Sequence, residues 1–383
     1  MTTGATRREL RLASDHDRAG SVLITGGAGF IGTNLAHRLL SAGTRVTVLD
    51  NLSRRGVERN LSWLEAAHGD LLRIEIADVR DSAAMQRAVA NARQVVHLAA
   101  QVAVTTSIAD PSHDFDVNAR GTLNVLSALN SLSDPPPLLF TSTNKVYGTL
   151  GELALRNDGR RYSPVDEHIR QHGIDESQQL DFQSPYACSK GAADQYVLDY
   201  ARTFGLRAAV FRMSCVYGPH QVGTEDQGWV AHFLTRALRG DAITVFGDGH
   251  QVRDVLFIDD LVDAVQLAFE NMGAVSGRAF NLGGGPDNTT SLLELIDAIA
   301  EFEPRVEVNF VDWRPGDQRY YVSDTARFSE LTGWRPRVSV ADGVRRLHDW
   351  LVAAGVPTRP VPASAEASWL PVLSPPLAAT GER

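Results

Sequence analysis

Lysine is almost absent from this sequence. Of its 37 basic side chains only Lys145 and Lys190 are lysines, and the other 35 are arginines. Surface cation positions have been filled with guanidinium, so a lysine that persists is one whose compact ammonium a planar fork does not replace. Cysteine is equally scarce: Cys188 and Cys215 are the only two. They lack the spacing of a metal site or a disulfide framework, which fits a reducing cytoplasm. No stretch approaches the ~18 apolar residues of a membrane span. Residues 1–20 carry Arg7, Arg8, Glu9, Arg11 and Asp15 and lack the apolar centre of a signal peptide. Excess positive charge is missing too. A net charge of −9 and a pI near 5.7 argue against general nucleic-acid or anionic-membrane binding and leave room for a local basic pocket.

What is present is an ordinary globular composition, 43% hydrophobic and 22% charged over 383 residues. That is enough for one large domain or two intimately linked ones. Ser21 to Thr25 is a short apolar strand followed by Gly26-Gly27-Ala28-Gly29-Phe30-Ile31-Gly32. Glycines at 26, 29 and 32 fit a strand–turn–helix in which the chain turns tightly, backbone approaches a pyrophosphate, and helix packs on strand. A second strand, Arg45 to Leu49, ends in Asp50 and Asn51, near the distance expected of a carboxylate on the adenosine ribose. The alternative is a plain glycine-rich turn, which strands on both sides and the acid in place disfavour. The pattern continues through Leu71–Ala77, ending at Asp78 and Val79. Asp78 is a candidate adenine contact, or else a turn or cap residue. Gln94–Ala100 is a buried strand that brings Leu98, Ala99, Ala100 and Gln101 to its end, and Asn118 precedes a helix from Gly121 to Leu132. Pro135-Pro136-Pro137 stops that segment, and the next strand, Leu138 to Thr143, delivers Thr143, Asn144, Lys145 and Tyr147 at its carboxyl end. Strands alternating with helices predict an α/β fold of the Rossmann type, a doubly wound parallel sheet with ligands at the carboxyl ends of its strands.

The stretch Ser184 to Lys190 is the centre of the functional reading. On a helix, Tyr186 and Lys190 lie one above the other on one face. An ammonium there stabilises phenolate, so the tyrosine pKa is expected to fall from about 10 toward neutrality and the phenol to work as an acid/base. A Tyr-x-x-x-Lys pair alone is common, and its bland alternative is a solvated helix face. That both surviving lysines fall in such motifs weighs against chance. Before Tyr186, residues 151–183 read as a long polar loop. A loop of that length inside a compact protein usually carries function, and Asp175, Glu176 and Ser177 are candidate sugar contacts or surface residues. Farther on, Asp226 to Val230 opens a helix, and Ser291–Phe302 and Val340–Val352 are amphipathic helices. Arg253, Arg314, Asp317 and Arg319 form a possible grip on a diphosphate, a task suited to bidentate guanidinium, although most arginines here are surface cations.

These residues resemble the extended short-chain dehydrogenase/reductase family, the NAD-dependent epimerases and dehydratases of nucleotide sugars. The resemblance runs from about Ser21 to Leu351 and is carried by the glycine run, by Thr143 with Tyr186 and Lys190, and by Arg253-Asp254. More specific runs resemble the family's branch of CDP-sugar 2-epimerases: Ser142 to Gly148, Asp175 to Ser177 with Gln179 to Phe182, Ser184 to Arg202, and Asp226 to Val230. The resemblance implies NAD as cofactor and a homodimer or homotetramer. It makes Thr143 the hydroxyl that bonds the reacting oxygen, Tyr186 the acid/base, and Lys190 the residue that holds the nicotinamide ribose and tunes the tyrosine. One position departs, because Met213 follows Arg212 where that branch carries histidine. Dehydratases of this kind carry Asp-Glu directly after the threonine, since elimination needs a further acid and base. Here Asn144 and Lys145 stand there, so oxidation and re-reduction at one carbon is the expectation, with C2 of a CDP-sugar as target. A UDP-sugar 4-epimerase is the alternative enzyme, and an NAD-binding regulator without activity is the alternative class. The domain expectation is an extension at 1–20, a dinucleotide domain at 21–215 rejoined by 253–283, a sugar-nucleotide region at 216–356, and a Pro-rich tail at 357–383.

Overall fold

The short apolar strands assemble side by side in a computed structural model that describes residues 20–314 and 316–357. Apart from Gly20 and Pro357, the N-terminal extension and the Pro-rich tail lie outside the described residues. The central sheet has seven parallel strands: β1 (Ser21–Thr25), β2 (Val46–Asp50), β3 (Leu72–Ile76), β4 (Ala92–His97), β5 (Leu138–Thr143), β8 (Ala208–Met213) and β12 (Ala279–Leu282). Their spatial order, β12-β8-β5-β4-β1-β2-β3, reverses direction between β1 and β4. That is the switch point where doubly wound sheets bind ligands, and the expected fold class holds.

Period-two alternation explains why both faces are apolar. Val22 and Ile24 of β1, Val96 of β4, Leu139 of β5 and Phe211 of β8 enter one buried layer. Leu23, Val95, Phe140 and Val210, their immediate neighbours, enter the other. The first layer is closed by α1 (Phe30–Ser41), α2 (Val57–His68), α9 (Trp229–Arg239) and α10 (Ile258–Glu270). The second is closed by α3 (Ser82–Ala90), α6 (Gly121–Asn130) and the long α8 (Pro185–Phe204). Between β4 and α6 lie the short helices α4 (Val104–Ala109) and α5 (Pro111–Phe115) and a π-helical turn over Asp116–Arg120.

Over the carboxyl ends of the sheet sit smaller units. β11 (Val252–Phe257) pairs with β9 (Cys215–Tyr217) and β15 (Tyr320–Tyr321) in parallel and with β13 (Thr289–Ser291) antiparallel. β10 (Ile243–Phe246) pairs with β14 (Val308–Val311). Residues 151–183 are less irregular than the sequence suggests. They contain an antiparallel hairpin, β6 (Leu155–Asn157) with β7 (Tyr162–Pro164), and the helix α7 (Glu167–His172) capped by Asp166.

Candidate active site

Helix α8 begins where its sequence says it should. The Ser184 hydroxyl accepts from the Ala187 amide at 3.1 Å, and Pro185 occupies the first turn, where its missing N–H costs nothing. The helix ends on Gly205, whose φ of +71° suits glycine. Four-residue spacing then lines up Tyr186, Lys190 and Asp194, all buried. Lys190 Nζ donates to the Thr141 carbonyl at 2.6 Å and lies 4.2 Å from the centre of the Phe140 ring. Asp194 is held bidentately by Arg212, Nε at 2.9 Å and Nη2 at 3.0 Å. Arg212 also donates to the Tyr147 hydroxyl at 3.1 Å, which in turn donates to Asn281 Oδ1 at 2.8 Å.

The expected fall of the Tyr186 pKa does not occur in this environment. Burial pushes the phenol up to about 12, with the Thr143 hydroxyl pulling the other way and the Asp114 carboxylate adding to the rise. Burial likewise pushes the Lys190 ammonium down to about 7, against the opposing pull of Asp194 and Asp114. Desolvation penalises phenolate and ammonium alike, and spacing along a helix reveals neighbours without revealing dryness. Thr143, at the end of β5, is buried, and its Oγ1 accepts from the Lys145 amide at 3.2 Å.

The glycine turn sits between β1 and α1. Gly26 has φ of +70°, and a Cβ there would lie 2.7 Å from the Ala99 amide, so the Leu98-Ala99-Ala100 segment presses directly on the turn. A Cβ on Gly32 would meet Gly26 O and Gly27 Cα at 2.5 Å. Gly29 precedes Phe30 and Ile31 as a cap without a side chain, so the first amides of α1 face a bare concavity suited to a phosphate. Asp50 accepts from the Ala28 amide at 3.1 Å and the Leu52 amide at 2.9 Å, and burial raises its pKa. Asn51 donates to Asp78 at 2.8 Å, and Asp78 is also gripped by Arg80, which holds its carboxyl well below the usual range. Val79 is buried beneath Gly121. Ser142 Oγ, beside Thr143, is buried with no partner. A bare helix start, a carboxylate at the end of β2 and an orphaned hydroxyl at the end of β5 fit a dinucleotide laid across the switch point.

On the other side of Thr143, Asn144 Nδ2 donates to Gln318 Oε1 at 3.2 Å. Lys145 Nζ reaches Gly316 O at 3.4 Å and Asp317 at 3.6 Å. Asp317 is also held by Arg253 at 2.8 Å, and these two cations lower its pKa despite burial. Asp317 and Arg319 line a cavity of about 310 Å³ with Thr149, Leu155, Tyr162 and Tyr320. Arg319 faces the rings of Tyr162 and Trp313. The Arg314 carbonyl accepts from the Asp317 amide at 3.2 Å, but the Arg314 side chain turns away from this group, over the Phe246 ring at 3.7 Å and bonded to the Glu225 carbonyl at 2.9 Å. Asp175, Glu176 and Ser177 do not join Tyr186. They line a different hollow with Asp324, Arg327 and Glu330, and Glu176 accepts from the Asn281 amide at 2.7 Å. Because Lys145 and Arg253 share one carboxylate, Lys145→Arg should crowd a second fork against Arg253 and lower turnover about tenfold with the fold intact. Parental kinetics in that variant would show that any cation serves at position 145.

Reading by motif found Gln101 and Asn118 but missed the carboxylates Asp114 and Asp194. Asn118 Nδ2 donates to Asp114 Oδ1 at 3.1 Å and Ser189 Oγ at 3.0 Å, and Gln101 Nε2 donates to Asp114 at 2.9 Å. Gln101 N donates to Asn118 Oδ1 at 2.9 Å, so Gln101 and Asn118 are tied to each other. The available signal was spacing: Asp114 is one helical turn before Asn118, and Asp194 one turn after Lys190.

Comparison with known proteins joins this geometry to a family. The profile of the NAD dependent epimerase/dehydratase family matches residues 22–283. The chain belongs to that family. Its members are NAD-dependent enzymes, and the fold and the dinucleotide cradle described above agree with it. Over 344 residues it is 42% identical to the CDP-paratose 2-epimerase of Salmonella typhi, covering 86% of this chain and 98% of that protein. Among solved structures, the UDP-glucose 4-epimerase of Thermotoga maritima with UDP-glucose is 30% identical with a TM-score of 0.75, covering 87% of this chain and 99% of that one. The UDP-glucose 4-epimerase of Thermus thermophilus in complex with NAD is 32% identical with a TM-score of 0.72, over 87% and 99%. Among the described residues no helix is long and apolar enough to cross a membrane.

Proposed function

We propose that this family member epimerises a hydroxyl-bearing carbon of a nucleotide-activated sugar, C2 of a CDP-sugar, by oxidation to a ketone and re-reduction on the opposite face. The observation that carries this reading is the company of Thr143. The Tyr186 phenol is in hydrogen-bond reach of its hydroxyl, Lys190 bonds the Thr141 carbonyl on the same strand, and Asn144 and Lys145 follow it where an elimination would require carboxyl groups. The 42% identity to a CDP-paratose 2-epimerase over nearly the whole of that protein supports the carrier and the carbon.

Tyr186 takes the proton of the reacting hydroxyl in the first half-reaction and returns it to the new hydroxyl in the second. Thr143 donates a hydrogen bond to the same oxygen as it passes through the ketone. Lys190, fixed by the Thr141 carbonyl, supplies positive charge beside the phenol and a donor for the nicotinamide ribose. The bound dinucleotide supplies a hydride acceptor in one half-reaction and the donor in the other, so there is no net redox change. Its pyrophosphate would rest on the Gly26–Gly32 turn with Phe30 and Ile31, and its adenosine would lie against Asp50, Asn51, Asp78 and Val79. Leu98, Ala99, Ala100, Gln101 and Asn118 would flank the remainder. Lys145, Arg253 and Arg319 give the sugar diphosphate its charge complement, with Asp317 setting their spacing and Arg314 at the margin. Gln101 and Asn144 would border the sugar. A homodimer or homotetramer is the expected assembly, which light scattering measures.

Running the reaction in D₂O with a panel of CDP- and UDP-sugars tests the route and the carrier together. If hydride leaves the sugar carbon and returns to it, the inverted carbon keeps its own hydrogen through many turnovers. Stoichiometric deuterium at that carbon would instead establish deprotonation beside a carbonyl and overturn the proposal. Conversion of UDP-sugars alone would move the reading to a 4-epimerase. No conversion by NAD-loaded protein would favour a regulator.

A further inference from the structure

Two buried charges of opposite sign flank Ser189, and neither has an ion-pair partner among the described residues. One is the Lys190 ammonium, 3% exposed, whose one hydrogen bond is to a neutral carbonyl. The other is the Asp114 carboxylate of α5, 1% exposed, whose partners Ser189, Asn118 and Gln101 are all neutral donors. An isolated charge in a dry interior costs several kcal/mol. The other groups facing this pair supply only part of the balance. Asp194, one turn farther along α8, also favours the Lys190 ammonium, but its carboxylate is shared with Arg212, which holds it bidentately. His97 on β4 is pushed down to about 3 by burial and Lys190 and is neutral, bonded to Thr25 at 2.6 Å and Thr122 at 3.0 Å. His113, beside Asp114 on α5, pulls on Asp114. The Ser189 hydroxyl bonds both the Asp114 carboxylate and the Tyr186 carbonyl, tying α5 to the turn of α8 that carries both functional groups.

We propose that Asp114 is a positioning residue for epimerisation, a second counter-charge that, across Ser189, favours the ammonium form of Lys190 alongside Asp194 and fixes the Tyr186 turn of α8. This rests on the reading of Tyr186 as the acid/base and adds to it a group that touches no reactant. Asp114→Asn separates charge from shape. The asparagine Oδ1 can still accept from Asn118 and Gln101, and its Nδ2 can donate to Ser189 Oγ while that hydroxyl donates to the Tyr186 carbonyl. Removing a negative charge lowers the pKa of every group near it. In NAD-loaded Asp114→Asn, both limbs of the pH–kcat profile should therefore move to lower pH by about one unit. Turnover at pH 8 should fall about tenfold with KM little changed, and Asp114→Glu should recover much of the loss. With only two lysines in the chain, ε-¹³C-lysine NMR reads the same event without turnover. The Lys190 resonance, distinguished by its persistence in Lys145→Arg, should titrate at lower pH in Asp114→Asn than in the parent. If the asparagine variant does not fold, Asp114→Ser carries the same expectations. Unmoved limbs together with an unmoved Lys190 titration would overturn the role of Asp114. A Tyr186→Phe control separates the two readings. If that variant turns over normally, the tyrosine assignment fails, and this proposal with it. If it is inactive while Asp114→Asn leaves every titration in place, only the Asp114 role is lost.

Discussion

Tyr186→Phe is expected to retain the fold and the bound dinucleotide and to lose about 10²–10⁴-fold in turnover, the usual contribution of a positioned acid/base. The ring is buried, and its backbone amide is pinned by Ser107 Oγ at 3.1 Å. Phenylalanine therefore occupies the same space, and only the proton-carrying oxygen is removed. Burial keeps the phenol neutral at ordinary pH, so losing the hydroxyl removes no buried charge and the melting temperature should change little. Single-turnover kinetics on NAD-loaded enzyme would read the chemical step directly. A rate within threefold of the parent would take Tyr186 out of the mechanism.

Much of the sheet was legible because its signals are local. Strands β1, β2, β4, β5 and β8 are short apolar runs, and their alternate residues serve two different buried layers. The start of α8 was legible for the same reason, since Ser184 and Pro185 form a cap that needs nothing from elsewhere. The hairpin β6–β7 was not. Its strands are three residues each, and it is fastened by residues far along the chain. Tyr162 N donates to the His250 carbonyl at 2.9 Å, and Arg161 donates to Thr289 Oγ1 at 2.7 Å.

Distance along the chain also explains the candidate sugar contacts that went elsewhere. Glu176 finds its partner in the amide of Asn281 on the outermost strand β12, a pairing with no local signature. Arg314 belongs to the turn around Glu225 and Asp226, whereas Arg253, Asp317 and Lys145 do converge. Met213, at the position that departs from the resembling branch, packs half-buried against the larger core layer. The misjudged tyrosine pKa has a different origin. The sequence displays a cation one turn from a phenol, but the sign of the shift depends on how much water the fold leaves around both.

Breaking the Arg212–Asp194 pair should give the largest stability effect in the molecule. Asp194 is fully buried, with Arg212 as its cation and Gln195 as a further donor at 2.9 Å. Arg212→Met leaves that carboxylate without its hydrogen-bonded cation, which in such sites costs about 3–5 kcal/mol. It also deprives the Tyr147 hydroxyl of a donor, though its bond to Asn281 survives. Neutralising the acid as well, in Arg212→Met with Asp194→Leu, should restore most of the lost stability, because two apolar residues leave nothing buried and unpaired. Urea unfolding of the parent, both single variants and the double variant reads the coupling. The functional consequence has a definite sign. An uncompensated Asp194 raises the pKa of Lys190, so the alkaline limb of turnover in Arg212→Met should move to higher pH, opposite to the shift expected from Asp114→Asn. A destabilisation below about 1 kcal/mol, the range of exposed pairs, would mean that water reaches this bridge and that α8 is held to β8 by packing alone.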